Sequence, residues 1–105
     1  MLYGGAGEDI LYGFEGNDLI VGGSGKDRLF GDEGDDEIWT YQITTSSGGN
    51  GDGDFASGGS GNDIIRGDAD KGGYAEVLFG GPGHDRIYGY DGDDLLYGDE
   101  GDDFL

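Results

Sequence analysis

A nine-residue period runs through this chain, and one copy shows what it dictates. Gly22–Phe30 reads Gly-Gly-Ser-Gly-Lys-Asp-Arg-Leu-Phe. Three glycines in four positions make a turn that needs positive φ and close backbone approach, which a Cβ makes costly. Asp27 closes the turn. Arg28-Leu29-Phe30 then reads as a three-residue strand whose middle side chain points to one side and whose flanking side chains point to the other. Further copies begin at Gly4, Gly13 and Gly31, and after an interruption at Gly58, Gly80, Gly89 and Gly98. A stretched copy of 13 residues runs from Gly67 to Phe79, with its four extra residues in the turn and Glu76 where the others have Asp.

The sixth positions are Asp9, Asp18, Asp27, Asp36, Asp63, Asp85, Asp94 and Asp103, and the eighth positions are Leu or Ile throughout. Regular repeats therefore occupy 4–39 and 58–105 of a single domain spanning 1–105. The segment 40–57 is irregular but 18 residues long, which is two periods. Its second half resembles a worn unit with Asp54 at the sixth position. Its first half does not fit a unit, and the β-prone run Trp39–Thr44 that leads into it is expected to prolong a strand before a Ser/Gly-rich turn. Both ends cut through a unit, so the expectation is a piece of a longer array.

Composition sharpens the reading. Gly accounts for 27 of 105 residues, only 33% are hydrophobic, and 24 acids against 5 bases give a net charge of -19. In bulk these are values of a disordered acidic segment, but disorder does not require a strict period. So acidic a chain seeks cations, not nucleic acid. It has no cysteine for a disulfide framework or a thiolate site. No apolar run approaches the roughly 18–20 residues of a membrane span.

A glycine-rich turn carrying a carboxylate brings backbone carbonyls and an anionic oxygen into one small space. Ca²⁺ takes about six to eight oxygens and tolerates irregular shells better than Mg²⁺. One turn cannot complete such a shell; stacked turns can. If two units make one coil, each turn lies about 4.8 Å from the turn two units away, and an ion between them would be held by the sixth-position carboxylate of each. Counting 40–57 as two units puts Asp9, Asp27, Thr45, Asp63, Asp85 and Asp103 on one edge. Asp18, Asp36, Asp54, Glu76 and Asp94 then share the other. The pairs expected to share ions are Asp9–Asp27, Asp18–Asp36, Asp63–Asp85 and Asp85–Asp103, followed by Asp36–Asp54 and Glu76–Asp94. Asp32, Glu33, Asp35, Asp91, Asp93, Asp99, Glu100 and Asp102 are expected to project into solvent and raise the local negative potential.

The unit Gly-Gly-x-Gly-x-Asp-x-apolar-x resembles the calcium-binding nonapeptide of the RTX (repeats-in-toxin) family over about 85 residues, and eight units carry both the Asp and the Leu or Ile. The resemblance implies an all-β, right-handed parallel β-roll with several Ca²⁺ ions between turns. It also implies extracellular localisation after one-step (type I) bacterial secretion, and folding that waits for external calcium. Second-position glycine is replaced by Phe14, Asp32, Asp68, Tyr90 and Asp99, and Glu76 departs from the motif.

Leu11, Ile20, Leu29, Ile38, Ile65, Leu78, Ile87 and Leu96 are expected to form a core one residue wide per strand. The outward rows are expected to be Ile10, Tyr12, Arg28, Phe30, Ile64, Arg66, Arg86 and Tyr88 on one sheet. Leu19, Val21, Glu37, Trp39, Phe55, Val77, Phe79, Leu95 and Tyr97 would lie on the other, a more apolar surface suited to a neighbouring domain of the parent protein or a second copy. Catalytic material is scarce: His84, the single histidine, occupies a fifth position expected to face solvent, and nothing pairs a nucleophile with a base. The reading is a non-enzymatic calcium-binding module of a secreted exoprotein such as a toxin. A carbohydrate-binding module of a polysaccharide-modifying enzyme, using the Tyr and Arg rows, and a calcium-stiffened adhesin spacer are the alternatives.

Overall fold

The computed structural model describes residues 1–40, 53–67, 75–90 and 94–105. Ten strands follow in chain order: β1 (Leu2–Ala6), β2 (Ile10–Tyr12), β3 (Leu19–Ser24), β4 (Arg28–Glu33), β5 (Glu37–Trp39), β6 (Phe55–Ser60), β7 (Ile64–Arg66), β8 (Val77–Phe79), β9 (Arg86–Tyr88) and β10 (Leu95–Tyr97). They alternate between two parallel five-stranded sheets, β1-β3-β5-β7-β9 and β2-β4-β6-β8-β10. This is a parallel β-roll, as the period requires: each strand is too short to do more than cross one layer before the glycine turn returns the chain to the other sheet.

The eighth-position side chains meet between the sheets. Ile20, Leu29, Ile38, Ile65, Leu78 and Ile87 are fully buried, and Leu11 and Leu96 pack partly buried against them. Ala56 and Leu2 also join this core. Backbone amides bond between coils in register, for example Arg28 N–H to Asp9 O at 2.9 Å and Glu37 N–H to Asp18 O at 2.9 Å.

The stretch 40–57 stacks differently from expectation. Arg28 pairs with Phe55 and Leu29 with Ala56, so β6 lies on β4, in the sheet opposite β5. Between Trp39 and Phe55 the chain thus advances by one unit of the stack, not two. The physical reason is legible after the fact. A coil half built on 40–48 would carry Thr45 in place of the carboxylate and Ser47 in place of the inward apolar residue. Asp54 and Ala56 fill those two places instead. Residues 41–44, expected to extend a strand, lie outside the described residues; β5 ends at Trp39.

That parity exchanges the outward rows downstream of the irregular segment. The second sheet carries Ile10, Tyr12, Arg28, Phe30, Phe55, Val77, Phe79, Leu95 and Tyr97, and the first carries Leu19, Val21, Glu37, Trp39, Ile64, Arg66, Arg86 and Tyr88, of which Val21 is fully buried against expectation. The second sheet therefore bears one continuous ring ladder: Tyr12–Phe30 at 5.0 Å, Phe30–Phe55 at 5.6 Å, Phe55–Phe79 at 5.6 Å and Phe79–Tyr97 at 4.7 Å between centroids. On the first sheet the Arg66 guanidinium lies 4.6 Å over the Trp39 ring and bonds Glu37 at 2.9 Å. Second-position residues with a Cβ settle in the left-handed region, Phe14 at φ 68° and Tyr90 at φ 62°, whereas Gly23 opens to 107°. Only glycine reaches the wider angle cheaply.

Candidate metal centres

The glycine turns at the two edges of the roll set the sixth-position carboxylates in two columns. One column holds Asp9, Asp27, Asp54, Glu76 and Asp94; the other holds Asp18, Asp36, Asp63, Asp85 and Asp103. Within a column, the backbone N–H of one residue donates to the Oδ1 of the residue one coil further. Asp9 donates to Asp27 at 3.0 Å, Asp27 to Asp54 at 2.7 Å and Glu76 to Asp94 at 3.0 Å. In the other column Asp18 donates to Asp36 at 2.8 Å, Asp36 to Asp63 at 2.8 Å, Asp63 to Asp85 at 2.8 Å and Asp85 to Asp103 at 2.9 Å. The expected pairs Asp9–Asp27, Asp18–Asp36, Asp63–Asp85, Asp85–Asp103 and Glu76–Asp94 thus meet. Asp36–Asp54 does not: Asp54 lies over Asp27 and Asp63 over Asp36, and Thr45 lies outside the described residues.

The second carboxylate oxygen has a different environment. The Oδ2 atoms of Asp9, Asp18, Asp36, Asp63 and Asp85 are buried without a hydrogen-bond partner. A buried anionic oxygen left so is strongly unfavourable unless a cation meets it. These atoms aim into spaces that only glycine leaves open. A Cβ placed on Gly4 would lie 2.7 Å from Asp9 Oδ2 and 2.5 Å from the Gly22 carbonyl oxygen, one coil away. On Gly22 it would lie 2.6 Å from Asp27 Oδ2 and 2.8 Å from the Thr40 carbonyl. On Gly13 it would lie 2.8 Å from Asp18 Oδ2 and 2.7 Å from the Gly31 carbonyl. First-position glycine, own-turn carboxylate and next-coil carbonyl recur as a unit, and together they make a pocket of hard oxygens.

Electrostatics agree with the geometry. Burial pushes the Asp63 carboxyl from 3.8 up to about 7, against the Asp36 N–H bond that favours its anion, with the charges of Asp85, Asp36 and Asp35 adding to the rise. Burial also raises Asp36 and Asp85, assisted by neighbouring carboxylates. The protein's 5 basic residues cannot neutralise 24 acids. The donor set is all oxygen, anionic and carbonyl, with a column spacing set by the sheet; it suits a hard divalent cation, and irregular rings of this kind suit Ca²⁺ over Mg²⁺.

Two features escape a reading of the period. The fifth positions on the Asp18 edge form a second ladder: Asp35 N–H donates to Asn17 Oδ1 at 2.8 Å, Asn62 to Asp35 at 2.8 Å, His84 to Asn62 at 2.9 Å and Asp102 to His84 Nδ1 at 2.9 Å. His84 and Asp35 are exposed, as expected, but are tied into the coil instead of pointing freely to solvent. An Nδ1 that accepts places the ring proton on Nε2. The signal was the alternation of Asn, Asp or His at every second fifth position. The other feature is Thr40, fully buried at a first position, whose hydroxyl donates to Glu76 Oε1 at 2.7 Å. Asp91 and Asp93 lie outside the described residues.

A two-sheet parallel roll with columns of inward carboxylates at its turns is a metal-binding repeat module by its architecture. Four copies of the RTX calcium-binding nonapeptide repeat model match residues 1–29, 12–41, 48–71 and 72–105, and the chain belongs to that family. It is a calcium-binding β-roll, of a family whose repeat is a structural module. Neither a curated protein nor a solved structure matches the chain.

Proposed function

We propose that this roll is a calcium-driven folding module of a secreted bacterial exoprotein, with several ions held between Asp9, Asp27 and Asp54, between Glu76 and Asp94, and along Asp18, Asp36, Asp63, Asp85 and Asp103. The observation that carries the reading is the row of buried Oδ2 atoms without hydrogen-bond donors. In the absence of a cation these carboxylates oppose the fold, so the same residues make folding conditional on the ion.

Calcium outside cells is abundant, and a module of this type works at about 10⁻⁴–10⁻³ M, so conditional folding suits a chain exported unfolded. The carbohydrate reading loses support because its expected row is split, with Tyr12 and Arg28 on the second sheet and Arg66, Arg86 and Tyr88 on the first. The second sheet's rings also spend their faces on one another, at interplanar angles of 10° for Tyr12–Phe30 and 7° for Phe79–Tyr97. That ladder fits a packing surface for a neighbouring domain or a second copy. The test is a calcium titration of the ion-stripped chain followed by circular dichroism, with bound ions counted by mass spectrometry. Strand signal should be weak without calcium, rise cooperatively with it and stay weak with magnesium. A cooperative strand-rich fold before any calcium is added refutes the proposal.

A further inference from the structure

One gap in the first carboxylate column is built unlike the others. Below each neighbouring gap stands a first-position glycine, and a Cβ there would run into the two oxygens available to an ion. This holds for Gly4 with Asp9 Oδ2 and the Gly22 carbonyl, and for Gly22 with Asp27 Oδ2 and the Thr40 carbonyl. It holds again for Gly67 with Glu76 Oε2 and the Gly89 carbonyl. The first position stacked over Gly22 is filled instead by Thr40. Its backbone is in the stack, with the N–H donating to Arg66 O at 3.0 Å, and its side chain is wholly buried. A β-branched side chain therefore stands where the repeat otherwise keeps space. Its hydroxyl donates to Glu76 Oε1 at 2.7 Å.

We propose that the gap between the turns of Asp54 and Glu76 is closed to calcium, the Thr40 hydroxyl and Cβ taking the place of the ion. This rests on the calcium reading above and adds to it an ion-independent joint. Glu76 explains itself in the same arrangement. Its Oε1 accepts the Thr40 hydroxyl hydrogen bond while Oε2 faces the Gly67 cradle, so one carboxylate closes the gap on one side and lines the cradle on the other. The Thr–Glu pair is thus one substitution in two places, and it sits beside the irregular segment, where the two halves of the array join.

The experiment counts bound calcium in the full chain at saturation. Thr40→Gly combined with Glu76→Asp restores the repeat's own residues at both positions and should bind one ion more than the parent, whereas Thr40→Val, which keeps the bulk, should bind the same number as the parent. Equal counts for the parent and the double variant overturn the inference. So does a crystal of the parent grown in saturating calcium with an ion between the Thr40–Asp54 and Gly67–Glu76 turns, a result independent of how the variants fold. A parent that binds no calcium at all overturns the preceding proposal instead, so the two failures are distinct.

Discussion

Gly22→Ala isolates the cradle from the backbone. Gly22 is fully stacked and its φ lies outside the left-handed region, so alanine meets no conformational penalty there. Its Cβ would nevertheless stand 2.6 Å from Asp27 Oδ2 and 2.8 Å from the Thr40 carbonyl oxygen. Ordinary contact needs about 3.4 Å or more, so both oxygens must retreat by more than half an ångström, away from the position an ion needs. Overpacking of this kind costs about 1–3 kcal/mol, offset by roughly 0.5–1 kcal/mol from the stiffer unfolded chain.

If the closed gap leaves about seven ions binding together, a net cost of about 1 kcal/mol raises the folding midpoint in calcium by only about 1.3-fold. The midpoint alone is therefore a blunt readout. The ion count is the sharp one: Gly22→Ala should bind one calcium fewer at saturation. Gly7→Ala is the control, because a Cβ there meets nothing within 4 Å although φ is 102°. It should lose stability through left-handed backbone strain, about 1–2 kcal/mol, and keep every ion. Should Gly22→Ala retain the full count while Gly7→Ala loses an ion, the first-position glycines are not what keeps the cradles open.

The other perturbations follow from the same geometry. Asp63, at about 7 in the fold against 3.8 in a free carboxyl, binds its proton more tightly folded than unfolded. Its proton-linked stability is thus fully present below about 3.8 and lost as pH rises through about 7. The ion-stripped chain should accordingly gain strand signal on acidification from pH 7.5 to 4. Asp63→Asn should diminish that gain; an ion-free chain equally unstructured at both pH values contradicts it. Phe55→Ala breaks the ring ladder at its middle, removing two contacts of 5.6 Å worth about 0.5–1.5 kcal/mol each, and should lower the thermal midpoint of the calcium-loaded roll by calorimetry. Phe79→Lys places a charge on the same apolar face; any calcium-loaded dimer seen by sedimentation velocity should weaken, and a dimer of unchanged affinity would place its contact elsewhere.

How much of this was legible in the residues depends on what a period can encode. The nine-residue spacing names the position of each residue within its unit, and so it placed the inward Leu and Ile row, the carboxylates at the turns and the glycines that admit them. It does not encode which of two alternating sheets a unit joins, because that is a property of the count of units and not of any one. Two periods' worth of residues in 40–57 kept the phase within the unit intact and hid the change of sheet. The pairs expected within either half are neighbours in the stack, the one pair expected across the interruption, Asp36–Asp54, is not, and the outward faces were exchanged for the same cause.

The information was present in the requirement that every stacked unit supply both a carboxylate and a small or apolar inward side chain. Asp54 and Ala56 satisfy it; Thr45 and Ser47 do not. Thr40 and Glu76 lay beyond this kind of reasoning altogether. They are 36 residues apart in the chain, and each taken alone looks like a worn repeat position. Only the coil-on-coil register shows that the threonine hydroxyl bonds the longer acid. A defect in periodicity that comes with its own compensation is a different object from decay, and the ion count at that gap is what separates the two.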